Sequence, residues 1–245
     1  AVRTVDEALD LAGGDLDTAT SLLDIRLIGG EEKLVTELAT KSRAQWHDKA
    51  DKMLSLLAEG TRQRHAEAGE VAFLLEPDLK LSRGGLRAVH ALHWLDLADD
   101  GLMEESERQG LVGPHDVLLS ARVELHRSTG RHSNQLLLQD QDEVAAALGY
   151  GDADDLMADV SQAARTVAWI TDAVLHRMHL RSTPRRWRRK VRQLGHGIRI
   201  VDETLQLDDD APVSSDPVLP FRVAYFAARE EAFIERSVLD RLADE

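Results

Sequence analysis

Residues 152–180 read DADDLMADVSQAARTVAWITDAVLHRMHL, with neither proline nor glycine. Within them Leu156, Val160, Ala163, Val167, Ile170, Val174 and Met178 recur every three or four positions. That spacing draws one apolar stripe along a single long helix. The same period runs through most of the chain, so the expected fold is mainly α: a multi-helix bundle with one short extended segment and a small β-hairpin.

Upstream, Thr4-Val5-Asp6-Glu7 has the spacing of a capping box, and Gly13-Gly14 ends the helix it starts. Asp15 or Asp17 caps the next helix, which stops at Gly29-Gly30. From Glu31 to Ala68 the pattern is helical, with a break expected near Ser42 or Gly60. The apolar run Val71–Leu75 precedes Glu76-Pro77-Asp78 and reads as extended, because Pro77 pushes Glu76 out of the helical region. Helices are expected from Leu86 to Leu97, Glu104 to Leu111, Pro114 to Ser128 and Asp140 to Leu148. After Pro184, Ile198, Ile200, Leu205 and Leu207 alternate around Val201-Asp202-Glu203, a hairpin pattern. Phe221 to Leu242 reads as a last amphipathic helix.

Lys plus Arg number 30 against 44 Asp plus Glu, a net charge of −14 in 245 residues. Such a balance argues against a general nucleic-acid binder. Aromatics are only 4% and prolines 6, which favours helices over a β-sandwich. The absence of cysteine removes disulfides, thiolate zinc sites and cysteine nucleophiles. It is compatible with a reducing compartment, and the expected location is the cytoplasm. No apolar run approaches a membrane span. The chain opens at Ala1 without a methionine or signal peptide, and we read it as a fragment of a longer protein. Positive charge gathers between Arg181 and Arg199, and acids follow it to Asp216. The segment is either a solvated stretch neutralised by its acidic neighbour or a docking surface for an anionic partner.

The stretch richest in chemistry is EPDLKLSRGGLR, residues 76–87. Two glycines, Gly84 and Gly85, at a helix entry let backbone approach a ligand, and free amides at the helix start then face it. Lys80, Arg83 and Arg87 surround those amides with positive charge, a combination that suits phosphate oxygens. Glu76 and Asp78 are placed to orient the cations or to stand near a metal ion. The same residues also fit a purely structural turn, with Ser82 as the helix cap and Arg87 paired to a carboxylate. His47-Asp48, His90 with His93, and His176 with His179 lack a third converging ligand, so none is taken as a metal site. No Ser-His-Asp set can be nominated.

The stretch LEPDLKLSRGGLRAVHAL, residues 75–92, closely resembles the segment that follows the catalytic unit of bacterial PII uridylyltransferase/uridylyl-removing enzymes. It is also similar to the KxGxGG(I/L)R segment of glutamine-synthetase adenylyltransferases. Residues 1–30 look like the helices after that family's last catalytic strand. Arg122, Leu125, His126, Leu136, Asp140, Gln141 and Ala145 match a second family stretch, and the hairpin and final helix follow in family order. Where the family has an acidic residue after Gly-Gly-Leu-Arg, this chain has Ala88.

The resemblance implies a parent enzyme that moves a nucleotidyl group from a nucleoside triphosphate, with magnesium held by aspartates, to a tyrosine of the PII signal protein. In high-GC Gram-positive relatives the group is adenylyl rather than uridylyl. A separate hydrolase domain removes it, and tail domains sense glutamine. It further implies that residues 1–68 trail the catalytic core and that 69–245 form the helical domain beside it. No Gly-Ser turn with an Asp-x-Asp pair is found, so no catalytic residue is assigned to this chain. Lys80, Arg83, Gly84, Gly85 and Arg87 are the nucleotide-phosphate candidates. Glu76, Asp78, Arg122, His126, Asp140 and Gln141 are expected to support them. The expected partners are the PII protein and the neighbouring nucleotidyltransferase and hydrolase domains; neither membrane nor nucleic acid is expected. The alternative is a non-catalytic interaction domain that uses the basic segment 181–199.

Overall fold

A computed structural model describes residues 2–99, 101–182 and 191–243. Its helices are α1 (Val5–Ala12), α2 (Leu16–Ser21), α3 (Glu32–Asp48), α4 (Ala50–Ala68), α5 (Leu86–Ala98), α6 (Glu105–Thr129), α7 (Leu138–Leu148), α8 (Ala153–Ser182), α9 (Leu219–Glu230) and α10 (Arg236–Ala243). Strands β1 (Val191–Gly195), β2 (Ile198–Val201), β3 (Thr204–Leu207) and β4 (Phe233–Ile234) form one sheet. The protein is mainly α with a small strand region, as the periodicity predicts. By contact it divides into Ala1–Val174 and Leu175–Glu245, a division that falls inside α8. The boundary expected at 68/69 marks a different distinction, between helices trailing a catalytic core and the domain after them.

Local signals place the first elements. Thr4 and Glu7 form the reciprocal capping box, and the Asp15 carboxylate accepts from the Thr18 amide at 2.8 Å. Glu31–Ala68 breaks at Lys49, not at Ser42 or Gly60. Ser42 is 5% exposed inside α3. Gly60 lies inside α4, where packing overrides the small local cost of a glycine. The helices expected on either side of Pro114 are one helix, α6. A proline removes only one amide from the ladder, and the rest of this 25-residue helix keeps its own.

In the first unit the α8 stripe is buried as expected: Leu156, Val160 and Val167 are 0% exposed. Leu79, Leu92, Leu118, Val144 and Leu136 are equally inaccessible. Each buried Leu or Val of this kind contributes roughly 1.5–3 kcal/mol. The run Val71–Leu75 is only partly extended. Val71–Phe73 make one 3-10 turn before Leu74 returns to extended geometry.

In the second unit β2 and β3 form the expected hairpin, with Ile200 opposite Leu205 and Ile198 opposite Leu207. Asp202 and Glu203 both take positive φ, 50° and 65°, as a tight two-residue turn requires. β1 pairs antiparallel with β2, and β4 pairs parallel with β3. The sequence pattern missed both edge strands. The single helix expected over 221–242 is interrupted, because Glu231 turns to φ 52° and Phe233–Ile234 join the sheet. Ile198, Leu205, Leu219 and Val238 form this unit's core.

Candidate functional site

α4 ends at Gly69 with φ 66°, and the chain enters a loop tied to itself. The Arg83 amide donates to Gly69 O at 2.8 Å, and the Val71 amide to Arg83 O at 3.0 Å. The Asp78 carboxylate accepts from the amides of Lys80 and Leu81 at 2.8 and 2.7 Å, which bends the chain into a turn. Ser82 does not cap α5: its hydroxyl donates to Ala68 O at 2.7 Å, at the end of α4.

The amides at the α5 entry are not free, contrary to the expectation. The Leu86 amide donates to Leu79 O at 3.0 Å, Arg87 to Lys80 O at 2.9 Å, and Ala88 to Gly85 O at 2.9 Å. The loop consumes the donors an anion would need. The glycines likewise serve packing. Gly84 holds φ 81°, and a Cβ there would stand 2.4 Å from Ala164 O on α8. A Cβ on Gly85 would lie 2.9 Å from both Leu79 O and Ser82 O. Ala88 is 4% exposed, so the position where the family has an acid faces the interior here.

The three cations separate into two kinds. Arg83 is committed to carboxylates: its guanidinium meets Glu70 at 2.7 Å and also bonds Asp172. Burial works against its charge, yet Asp172 and Glu70 outweigh this and raise its pKa. Arg87 instead sits over the Trp94 ring, 5.8 Å from its centroid. Neither Arg87 nor Lys80 is ion-paired among the described residues. The Arg87–Lys80 backbone bond fixes them side by side.

Of the expected supporting residues, Glu76, Gln141 and, through Asn134, Arg122 hold this loop, whereas Asp140 and His126 do not. The Glu76 carboxylate accepts from the first amide of α7, Leu138, at 3.0 Å. Gln141, 5% exposed, donates to Leu75 O at 2.8 Å and Leu136 O at 3.3 Å. Arg122 donates to the Asn134 side chain at 2.8 Å, while Asn134 O accepts from the Leu79 amide at 2.9 Å. Asp140 pairs with Arg131 at 3.2 Å. His126 stands edge-on to His132, 5.9 Å between centroids, and its Nε2 is buried without a partner. Sequence reasoning missed Glu70, Asn134 and Asp172. Asp172 lies 89 residues from Arg83, and no spacing rule reaches that far.

Among the described residues no group of three His, Asp or Glu side chains converges on a possible metal position. His93 contacts Asp24 at 3.5 Å; His176 contacts Thr204 at 2.7 Å and stacks on Phe233. Of the basic segment, residues 183–190 lie outside the described residues. Arg192 pairs with Glu230, and Arg199 with Asp208 at 2.9 Å, so these two are neutralised by the chain's own acids. No described helix is long and apolar enough to cross a membrane.

Fold and loop together define a helical domain in which a tied turn and the start of α5 present two cations, Lys80 and Arg87, that are not ion-paired among the described residues. The chain belongs to the GlnD PII-uridylyltransferase family, whose model matches residues 51–175. It is 39% identical to a bifunctional uridylyltransferase/uridylyl-removing enzyme of Mycobacterium tuberculosis, over 99% of this chain and 31% of that protein. A protein of the same description from Streptomyces coelicolor is 34% identical, over 99% of this chain and 30% of its own length. One from Vibrio atlanticus is 32% identical over 61% of this chain and 18% of that protein. The chain thus spans about a third of the first two of these relatives. No solved structure matches it.

Proposed function

We propose that this chain is the helical part of a PII-protein nucleotidyltransferase that packs beside the catalytic domain, completes the nucleotide cleft and helps dock PII. The observation that carries the reading is the contrast at one turn: Arg83 holds two carboxylates, while Lys80 and Arg87 beside it hold none. Unpaired cations on a fixed backbone suit a polyphosphate better than a mobile surface charge does. In the reaction, the substrate tyrosine oxygen bonds to the α-phosphorus of the nucleoside triphosphate. The bond to pyrophosphate breaks, and the tyrosine proton passes to solvent. Lys80 and Arg87 neutralise the charge that builds on the departing phosphates.

The test is Lys80→Ala and Arg87→Ala in the full-length enzyme. Loss of one charge-assisted contact costs about 1.5–3 kcal/mol, or roughly ten- to a hundredfold in transfer rate. Removal of the group by the hydrolase activity should stay near wild type. Wild-type transfer by both folded variants would refute the cleft role.

A further inference from the structure

A third cation, Arg64, stands on α4, the helix that packs against α5. Arg64 on α4 donates to the Thr61 hydroxyl at 3.0 Å, and Thr61 is only 2% exposed. That contact fixes a half-buried guanidinium that has no carboxylate partner among the described residues. One turn earlier stands Gly60, where a Cβ would lie 3.3 Å from Arg64 Nη1, so the glycine leaves the guanidinium its space. α4 packs against α5, and Arg87 acts on Arg64 as a like charge across that contact. Asp17 attracts Arg64 but forms no ion pair with it. His90 stands on the same face of α5 as Arg87; burial lowers its pKa, and Arg87 and Lys80 add to this as like charges while Asp24 opposes it. Two guanidiniums and an ammonium thus share one neighbourhood, and the carboxylates that act there, Asp17 and Asp24, form no ion pair with any of the three. Such an arrangement is unfavourable unless an anion joins it.

We infer that Arg64, Lys80 and Arg87 form one site for a chain of phosphoryl groups, with Arg64 as its third cation. The inference rests on the reading above and extends it to a residue on α4. Three cations spread over a helix, a turn and the next helix fit a di- or triphosphate rather than a single phosphate. A planar guanidinium can hold two oxygens of one phosphoryl group at once.

The test is thermal unfolding of the 245-residue chain with inorganic triphosphate, against sodium sulfate at equal ionic strength. Near a hundredfold excess over Kd, the wild-type midpoint should rise by about 5–10 °C. Arg64→Gln should lose most of that rise while its ligand-free midpoint stays at or above wild type. Arg64→Met keeps the stem's packing and reads the same loss if the glutamine variant is unstable. Arg62→Gln, which alters an exposed arginine paired to Glu59, should keep the full rise. If the Arg64 variants keep the rise while Lys80→Ala and Arg87→Ala lose it, the third cation is wrong and the two-cation reading stands. No rise in wild type, or a rise that none of the variants changes, overturns both. A rise matched by sulfate also overturns the inference.

Discussion

Gly84 lies against the backbone of Ala164: a Cβ at position 84 would stand 2.4 Å from the Ala164 carbonyl oxygen. The loop that carries Lys80 and Arg87 is thereby seated directly on α8. Gly84→Ala meets both this contact and a φ of 81°. Strain of that kind costs about 1–3 kcal/mol before the clash is counted. The expected result is a midpoint lowered by at least several degrees in thermal circular dichroism. A midpoint within a degree of wild type would show that the loop shifts at no cost.

Arg83 should behave as a structural residue and its two cationic neighbours should not. Arg83→Ala leaves Glu70 and Asp172 without the cation that joins them, at a cost of about 1–3 kcal/mol. The side chains are partly exposed, so the fully buried penalty is not expected. A double-mutant cycle with Asp172→Asn should show coupling between the two positions. Lys80→Ala and Arg87→Ala should change stability less than Arg83→Ala does. Additive energies for Arg83 and Asp172 would contradict the pairing.

Gln141→Leu tests how the loop is held. Its amide is the donor to Leu75 O and Leu136 O, and leucine leaves both carbonyls without it. The expected loss is about 1–3 kcal/mol. Hydrogen exchange should quicken at the Leu136 and Leu79 amides, which bond Pro77 O and Asn134 O across the same loop. Unchanged protection there would mean that the loop is held without Gln141.

Acid should weaken the first unit through His65. Burial lowers its pKa below the usual 6.5, and the Arg83 guanidinium adds to the effect. The unfolded chain therefore takes up this proton more readily than the folded one. The stability contribution is complete above 6.5 and is lost as pH falls through the lower pKa of the folded form. Denaturant titrations across that range should show a smaller loss on acidification in His65→Gln than in wild type. Equal losses would remove His65 from the account.

Much of the fold was legible because its signals are local. The capping box at Thr4 and Glu7, the Asp15 cap, the α8 stripe and the alternation at Ile198–Leu207 each lie within one helix or one hairpin. Errors fell where local rules compete with packing. Pro114 is a helix breaker by preference, yet α6 continues through it. Phe221–Leu242 has a helical pattern, yet Phe233 and Ile234 pair with β3.

The site divides in the same way. The sequence by itself determined the helical class and the family resemblance, since composition, period and motif need no partner. Only the tertiary structure decided what those residues do. It set Gly84 against Ala164, gave Arg83 to Asp172, spent the α5 amides on Leu79 and Lys80 carbonyls, and left Lys80 and Arg87 without an ion pair among the described residues. The physical reason is range. A helix period is written over three or four residues, whereas an ion pair across 89 residues exists only once packing has brought its two ends together.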